Sequence, residues 1–81
     1  MDRTAETQVK EGEYLMIAYY KLLDLLNKRD MTKEQLRLKA GLASGTMTKI
    51  SKGEPVNLKT IDLICKALQV QPGEILEYIE K

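Results

Sequence analysis

The chain has 81 residues, 43% of them hydrophobic and 31% charged, with thirteen Lys and Arg against twelve Asp and Glu and no histidine. A chain this short allows one domain with a thin core, and its composition is that of an ordinary globular fold, not of a disordered or fibrous chain. No apolar run reaches the roughly 20 residues of a membrane span, the opening MDRTAETQVKEGEYL lacks the apolar stretch of a secretory signal, and the single Cys65 excludes an internal disulfide, so a cytoplasmic protein without a membrane partner is expected.

The first residues carry no apolar periodicity, so 1–15 reads as a flexible leader and 16–81 as the domain. Over residues 17–28, Tyr19, Leu22, Leu23 and Leu26 follow the i, i+3, i+4, i+7 spacing, and Leu25 widens the stripe. That pattern predicts an amphipathic first helix, ended by Asn27-Lys28-Arg29-Asp30. Thr32 with Gln35 is a capping-box pattern opening a second helix, in which Leu36 and Ala40 point inward and which Gly41 stops. Leu42 then packs inward, and a third helix over about 44–51 buries Met47 and Ile50 before Gly53 closes it. Pro55 forces a non-helical link. Asn57 is a good N-cap for a fourth helix with a stripe of Leu58, Ile61, Ile64, Cys65 and Leu68, in which Cys65 reads as a small core residue.

Gln71-Pro72 opens a predicted fifth helix, with proline where its missing N–H costs nothing and Ile75, Leu76 and Ile79 on its apolar side. Five helices on short connections predict a compact all-α domain. Residues 14–20 and 75–79 nevertheless hold more apolar and aromatic surface than five short helices need. Each stays open as a short strand or a dimer contact.

Charge is unevenly distributed. Residues 28–52 hold seven basic side chains against Asp30 and Glu34, a balance of +5, while the remainder carries −4. This points to one positive face on an otherwise acidic body, as a polyanion-binding protein requires.

The same segment, TKEQLRLKAGLASGTMTKISKG, meets the needs of two helices held at a steep angle: an apolar residue early in the first (Leu36), a small residue late in it (Ala40) and a turn glycine (Gly41). Its second helix buries Met47 and Ile50 and leaves Ser44, Gly45, Thr48 and Lys49 outward, where bases of a major groove are read. At this point the chain resembles the Cro and phage-repressor (Xre) family of helix-turn-helix regulators. MTKEQL, KAGLASGTMTKISKG, NLKTIDLICKAL and VQPGEIL stand in that family's order and near its spacing, covering about residues 17–79.

The resemblance implies a lambda-repressor-like five-helix domain acting on double-stranded DNA as a repressor, in a prokaryotic or phage-type cytoplasm and close to the nucleoid. It implies Ser44, Gly45, Thr48 and Lys49 at base edges, and Thr32, Lys33, Thr46, Lys52 and Asn57 at the DNA backbone. A homodimer on half-sites about one turn apart is also implied.

Several positions depart from the family pattern, among them Leu26 and Ser51, which stand where many members pair an arginine with a glutamate and imply an apolar contact in place of the ion pair. Arg37 stands where alanine is usual, so its stem must lie along the surface with the guanidinium reaching either a phosphate or Glu34. Ala43 replaces the usual Ser or Thr cap, leaving Ser44 as a substitute, and Gly45 falls in the first turn. These small side chains leave Lys49 as the main reader of guanine and predict modest intrinsic specificity.

The absence of histidine, of a glycine-rich phosphate loop and of metal-spaced ligands argues against an enzyme and against any cofactor or metal. The rival is a protein-interaction module on the same fold, such as an antitoxin or a partner-binding regulator, which the apolar ends favour.

Overall fold

The computed structural model describes residues 17–79, and the expected leader 1–15 lies outside them. The elements run β1 (Ile17–Ala18), α1 (Tyr20–Lys28), α2 (Lys33–Ala40), α3 (Ser44–Lys52), α4 (Leu58–Leu68), a 3-10 turn (Pro72–Glu74) and β2 (Glu77–Tyr78). Each helix contributes to one core. Leu22 of α1, Leu36 of α2, Ile50 of α3, Ile64 and Leu68 of α4, and Ile75 beyond the turn are the fully buried large side chains. The second helix packs against both α3 and α4, which fixes the pair α2–α3 on a solid base. Among the described residues no helix is long and apolar enough to cross a membrane.

The caps explain the boundaries. Thr32 accepts from the Gln35 backbone N–H at 3.0 Å while the Gln35 side chain accepts from the Thr32 N–H at 2.8 Å, a complete capping box. Asn57 Oδ1 accepts from the Thr60 N–H at 2.9 Å and starts α4. Gly41 and Gly53 adopt the left-handed conformation, at φ 74° and 75°, and end α2 and α3 as expected.

The expected five-helix, all-α architecture is corrected in two places. Among the described residues four helices form, and the segment expected as the fifth is the 3-10 turn followed by β2. Gln71 and Glu74 cap each other's backbone within that turn, and both Ile75 and Leu76 N–H groups return to the Pro72 carbonyl, at 3.0 and 2.9 Å. Ile75 is thereby driven fully into the core, and the following chain extends to pair antiparallel with β1, in the register Ile17 to Tyr78 and Ala18 to Glu77. The first helix accordingly begins at Tyr20, not at residue 17, although Tyr19 keeps its place in the buried stripe. The two apolar ends left open as strands or dimer contacts are thus, in part, each other's strand partner.

A smaller correction concerns α4. Leu58 is 82% exposed, and Thr60 is buried in its stead. With Asn57 as the cap, the inward stripe runs Thr60, Ile61, Ile64 and Leu68, and the first helical position turns away from it. Cys65 is half-buried against the core rather than part of it.

Candidate nucleic-acid interface

The α2–α3 unit is built from the turn outward. Gly41 puts its backbone N–H on the Arg37 carbonyl, and Leu42 N–H reaches the same carbonyl at 2.9 Å, so the chain reverses sharply after α2. Leu42, Met47 and Ile50 are buried, and this fixes the roll of α3. Ser44, Gly45, Thr48, Lys49 and Lys52 are consequently exposed on its far side, with Thr46 half-buried at the flank.

Between α2 and α3 lies an open cleft of about 380 Å³ lined by Lys33, Glu34, Arg37, Ser44, Met47, Thr48, Ser51 and Lys52. It brings together four of the residues singled out from the sequence: Lys33 and Lys52 at the backbone positions, Ser44 and Thr48 at the base-reading positions. Thr32, Gly45, Thr46, Lys49 and Asn57 lie outside its wall. Glu34 and Ser51 were not among the expected site residues. Their i+3 and i+7 relation to Thr48, Ser44 and Arg37 on two facing helices is the signal that places them there.

Hydrogen bonding restricts what these groups offer. Thr48 Oγ1 donates to the Ser44 carbonyl at 3.2 Å, so its hydroxyl faces a ligand as an acceptor. Asn57 Oδ1 is taken by the Thr60 N–H and by the Thr60 hydroxyl, at 2.9 and 3.1 Å, which leaves its amide donors for a phosphate. Thr32 Oγ1 likewise accepts within its own capping box and retains its O–H.

Charge on this face is narrower than the +5 of residues 28–52 indicates. Lys28 pairs with Asp24 at 3.1 Å, and Arg29 donates to the Leu68 carbonyl at the C-terminal end of α4, at 2.9 Å. Arg37 grips Glu34 with Nε and Nη2, at 2.9 and 2.6 Å, and donates through Nη1 to the Leu42 carbonyl at 3.2 Å. Both fates considered for Arg37 from the sequence thus resolve toward the carboxylate, and the pair holds the Glu34 carboxyl below its ordinary value. The described residues give no ion pair to Lys33, Lys39, Lys49 or Lys52.

A sequence profile described as the Cro/C1-type HTH DNA-binding domain matches residues 21–81, which include α2, α3, α4 and all of α1 but its first residue. The chain belongs to the Cro/C1-type helix-turn-helix DNA-binding family. This agrees with the resemblance carried by the α2–α3 segment. Among similar proteins, the uncharacterized HTH-type transcriptional regulator YozG of Bacillus subtilis (strain 168) is 39% identical over 56 residues, which is 67% of each chain. The crystal structure of the transcriptional regulator VanUg, form II, matches with a TM-score of 0.77 and 32% identity, covering 90% of this chain and all of that one.

The α2–α3 unit has the helix-turn-helix form after which the family is named. Ala43 stands at the N-cap of α3 with no side-chain hydrogen bond, and Ser44 is the first helical residue. The expectation that Ser44 substitutes as the cap is therefore corrected. The chain instead enters α3 through extended backbone at Ala43, and its Ser44 side chain is left to the cleft.

Proposed function

We propose that this chain is a sequence-specific, double-stranded-DNA-binding transcriptional regulator that places α3 in the major groove. The observation carrying this reading is the roll of α3: Met47 and Ile50 are locked in the core while Ser44, Gly45, Thr48 and Lys49 stand outward beside the lysine-lined cleft. Ser44, Gly45, Thr48 and Lys49 read base edges, with Lys49 the principal donor to guanine. Thr32, Lys33, Thr46, Lys52 and Asn57 hold the DNA backbone; the exposed start of α2 and the lysine ammoniums suit phosphate. Both of these similar proteins are described by name as transcriptional regulators, and the proposed sense of regulation, repression, rests on the resemblance to phage repressors.

The test is duplex binding as a function of salt. Each phosphate-holding lysine contributes about 0.9 to the slope of log affinity against log salt. Lys33→Ala and Lys52→Ala are each expected to flatten that slope by about this amount on any sequence. Lys49→Ala is expected to reduce discrimination at one base pair, by about 1–3 kcal/mol. Unchanged binding in all three variants would remove the DNA reading from this face.

A homodimer on a two-fold site, and a protein partner as the alternative role, are both supported by apolar exposure away from the cleft. Leu58 is 82% and Tyr78 65% exposed, and Leu58 borders a shallow apolar groove with Ile17, Val56 and Leu76. Sedimentation of the chain alone and with an operator duplex separates a dimer in solution from one assembled on DNA.

A further inference from the structure

Arginine has the planar fork that best matches a phosphate or a guanine edge, and Arg37 is the one arginine among the residues lining the α2–α3 cleft. In the protein on its own that fork is already filled. Glu34 receives two parallel N–H···O bonds from it, at 2.9 and 2.6 Å, the same arrangement a phosphate would receive. Both side chains line the cleft with Lys33 and Lys52, and Glu34 is mostly exposed, its side chain 63% accessible, whereas that of Arg37 is only 25% accessible. The remaining bond of Arg37, to the Leu42 carbonyl, pins the fork at the turn so that it cannot swing clear of Glu34 without leaving that carbonyl.

We propose that Glu34 acts as an internal phosphate mimic: it occupies the Arg37 fork inside the DNA-facing cleft and so holds down sequence-independent affinity for the DNA backbone. The idea rests on the reading of the α2–α3 face as the DNA surface. Specificity is a difference of affinities, so a device that weakens binding to every sequence alike leaves the ratio between sites unchanged and instead sets the overall affinity and its salt dependence. That matters here because the outward residues of α3 are small: Ser44, Gly45 and Thr48 supply no bidentate base contact. With Arg37 unmasked, the cleft would bind backbone through three cations, Lys33, Arg37 and Lys52.

Glu34→Gln tests this, because it keeps the shape of the side chain, removes the charge and frees the fork. Affinity for a random-sequence duplex is measured between about 50 and 200 mM salt for the wild type, E34Q, R37Q and the double variant E34Q/R37Q. E34Q is expected to bind more tightly at low salt, and its advantage is expected to shrink about three- to fourfold over that range, the signature of one added phosphate contact. In the R37Q background the E34Q substitution is expected to add nothing to the salt slope, and R37Q alone is expected to keep the wild-type slope, since its fork holds no phosphate. The ratio of affinities for a selected site and a random duplex should stay unchanged in E34Q, because the added contact is the same on both.

An E34Q slope equal to that of the wild type overturns the proposal, and so does an R37Q slope flatter than the wild type, which would mean that DNA displaces Glu34 on its own. If R37Q fails to fold because the bond to Leu42 is lost, the comparison of E34Q with the wild type decides alone, since Glu34 is exposed. Failure of the underlying reading looks different: the wild type itself would bind duplex without salt dependence, or K33A and K52A would leave its slope unchanged.

Discussion

Tyr19 stands just before α1, yet it is 5% exposed and its hydroxyl donates to the Glu54 carbonyl at 2.7 Å. One side chain thereby ties the entry of α1 to the loop between α3 and α4, and that loop delivers Asn57. Tyr19→Phe keeps the packing and removes the bond, with an expected cost of about 1 kcal/mol in urea unfolding near neutral pH. Burial pushes the Tyr19 phenol above its ordinary value, so ionisation is harder in the folded chain than in the unfolded one. The stabilisation linked to the neutral phenol is therefore complete below the unfolded value of about 10 and is lost as pH rises through the higher folded value. Repeating the unfolding measurement above that range should show a shallower alkaline loss of stability in Y19F than in the wild type. Equal losses would mean that Tyr19 ionises as freely in the fold as out of it.

All four helices end on a residue in the left-handed region: Asp30 at φ 54°, Gly41 at 74°, Gly53 at 75° and Gln69 at 60°. Each is followed by a residue whose N–H returns to the preceding turn, Met31 to Leu26, Leu42 to Arg37, Glu54 to Lys49 and Val70 to Cys65, the Schellman pattern. The two glycine ends are legible in the sequence because glycine adopts this conformation without cost, and the end of α1 is legible in the polar run 27–30; the Gln69 end is not, because tertiary packing overrides a residue preference. Asp30→Gly is expected to stabilise the domain by about 0.5–1 kcal/mol, relieving left-handed strain and removing an acid from a helix C-terminus. Ala43→Ser, which supplies the missing cap of α3, is expected to add about 1 kcal/mol. Thermal unfolding of each variant reads both gains; a loss in D30G would mean that the Asp30 side chain makes a contact worth more than the strain. The fifth helix was misread for a related reason. Ile75, Leu76 and Ile79 have helical spacing, but the alternative that wins depends on Ile17 and Ala18 at the other end of the chain, which local periodicity cannot see. The cleft was legible through Lys33, Ser44, Thr48 and Lys52, whose exposure follows from Met47 and Ile50 being buried. The commitment of Arg37 to both Glu34 and Leu42 was less so, because the Leu42 carbonyl is brought to it only by the turn at Gly41.

A chain of this size has a folding free energy of roughly 4–12 kcal/mol, taking the usual per-residue range, and its core takes only one or two large side chains from each of α1 (Leu22, Leu26), α2 (Leu36) and α3 (Met47, Ile50). Ile75 has an outsized role in such a core. It is fully buried and sits between the 3-10 turn and β2, so it anchors the sheet that joins the two ends of the described chain. Ile75→Ala is expected to cost about 2–5 kcal/mol, whereas Tyr78→Ala, on the exposed face of β2, should stay within about 0.5 kcal/mol. Thin stability couples folding to the proposed function: if DNA binds only the folded α2–α3 unit, it adds its own stabilisation by mass action. Free duplex at about 100 times its dissociation constant contributes about 2.7 kcal/mol, enough to offset much of the Ile75→Ala loss. The melting temperature of I75A should therefore rise with added duplex, and its apparent affinity at a temperature where it is half unfolded should be about half that of the wild type. A melting temperature insensitive to duplex, in a variant that still binds it when cold, would mean that the DNA-binding unit keeps its structure after the sheet and its anchor are lost.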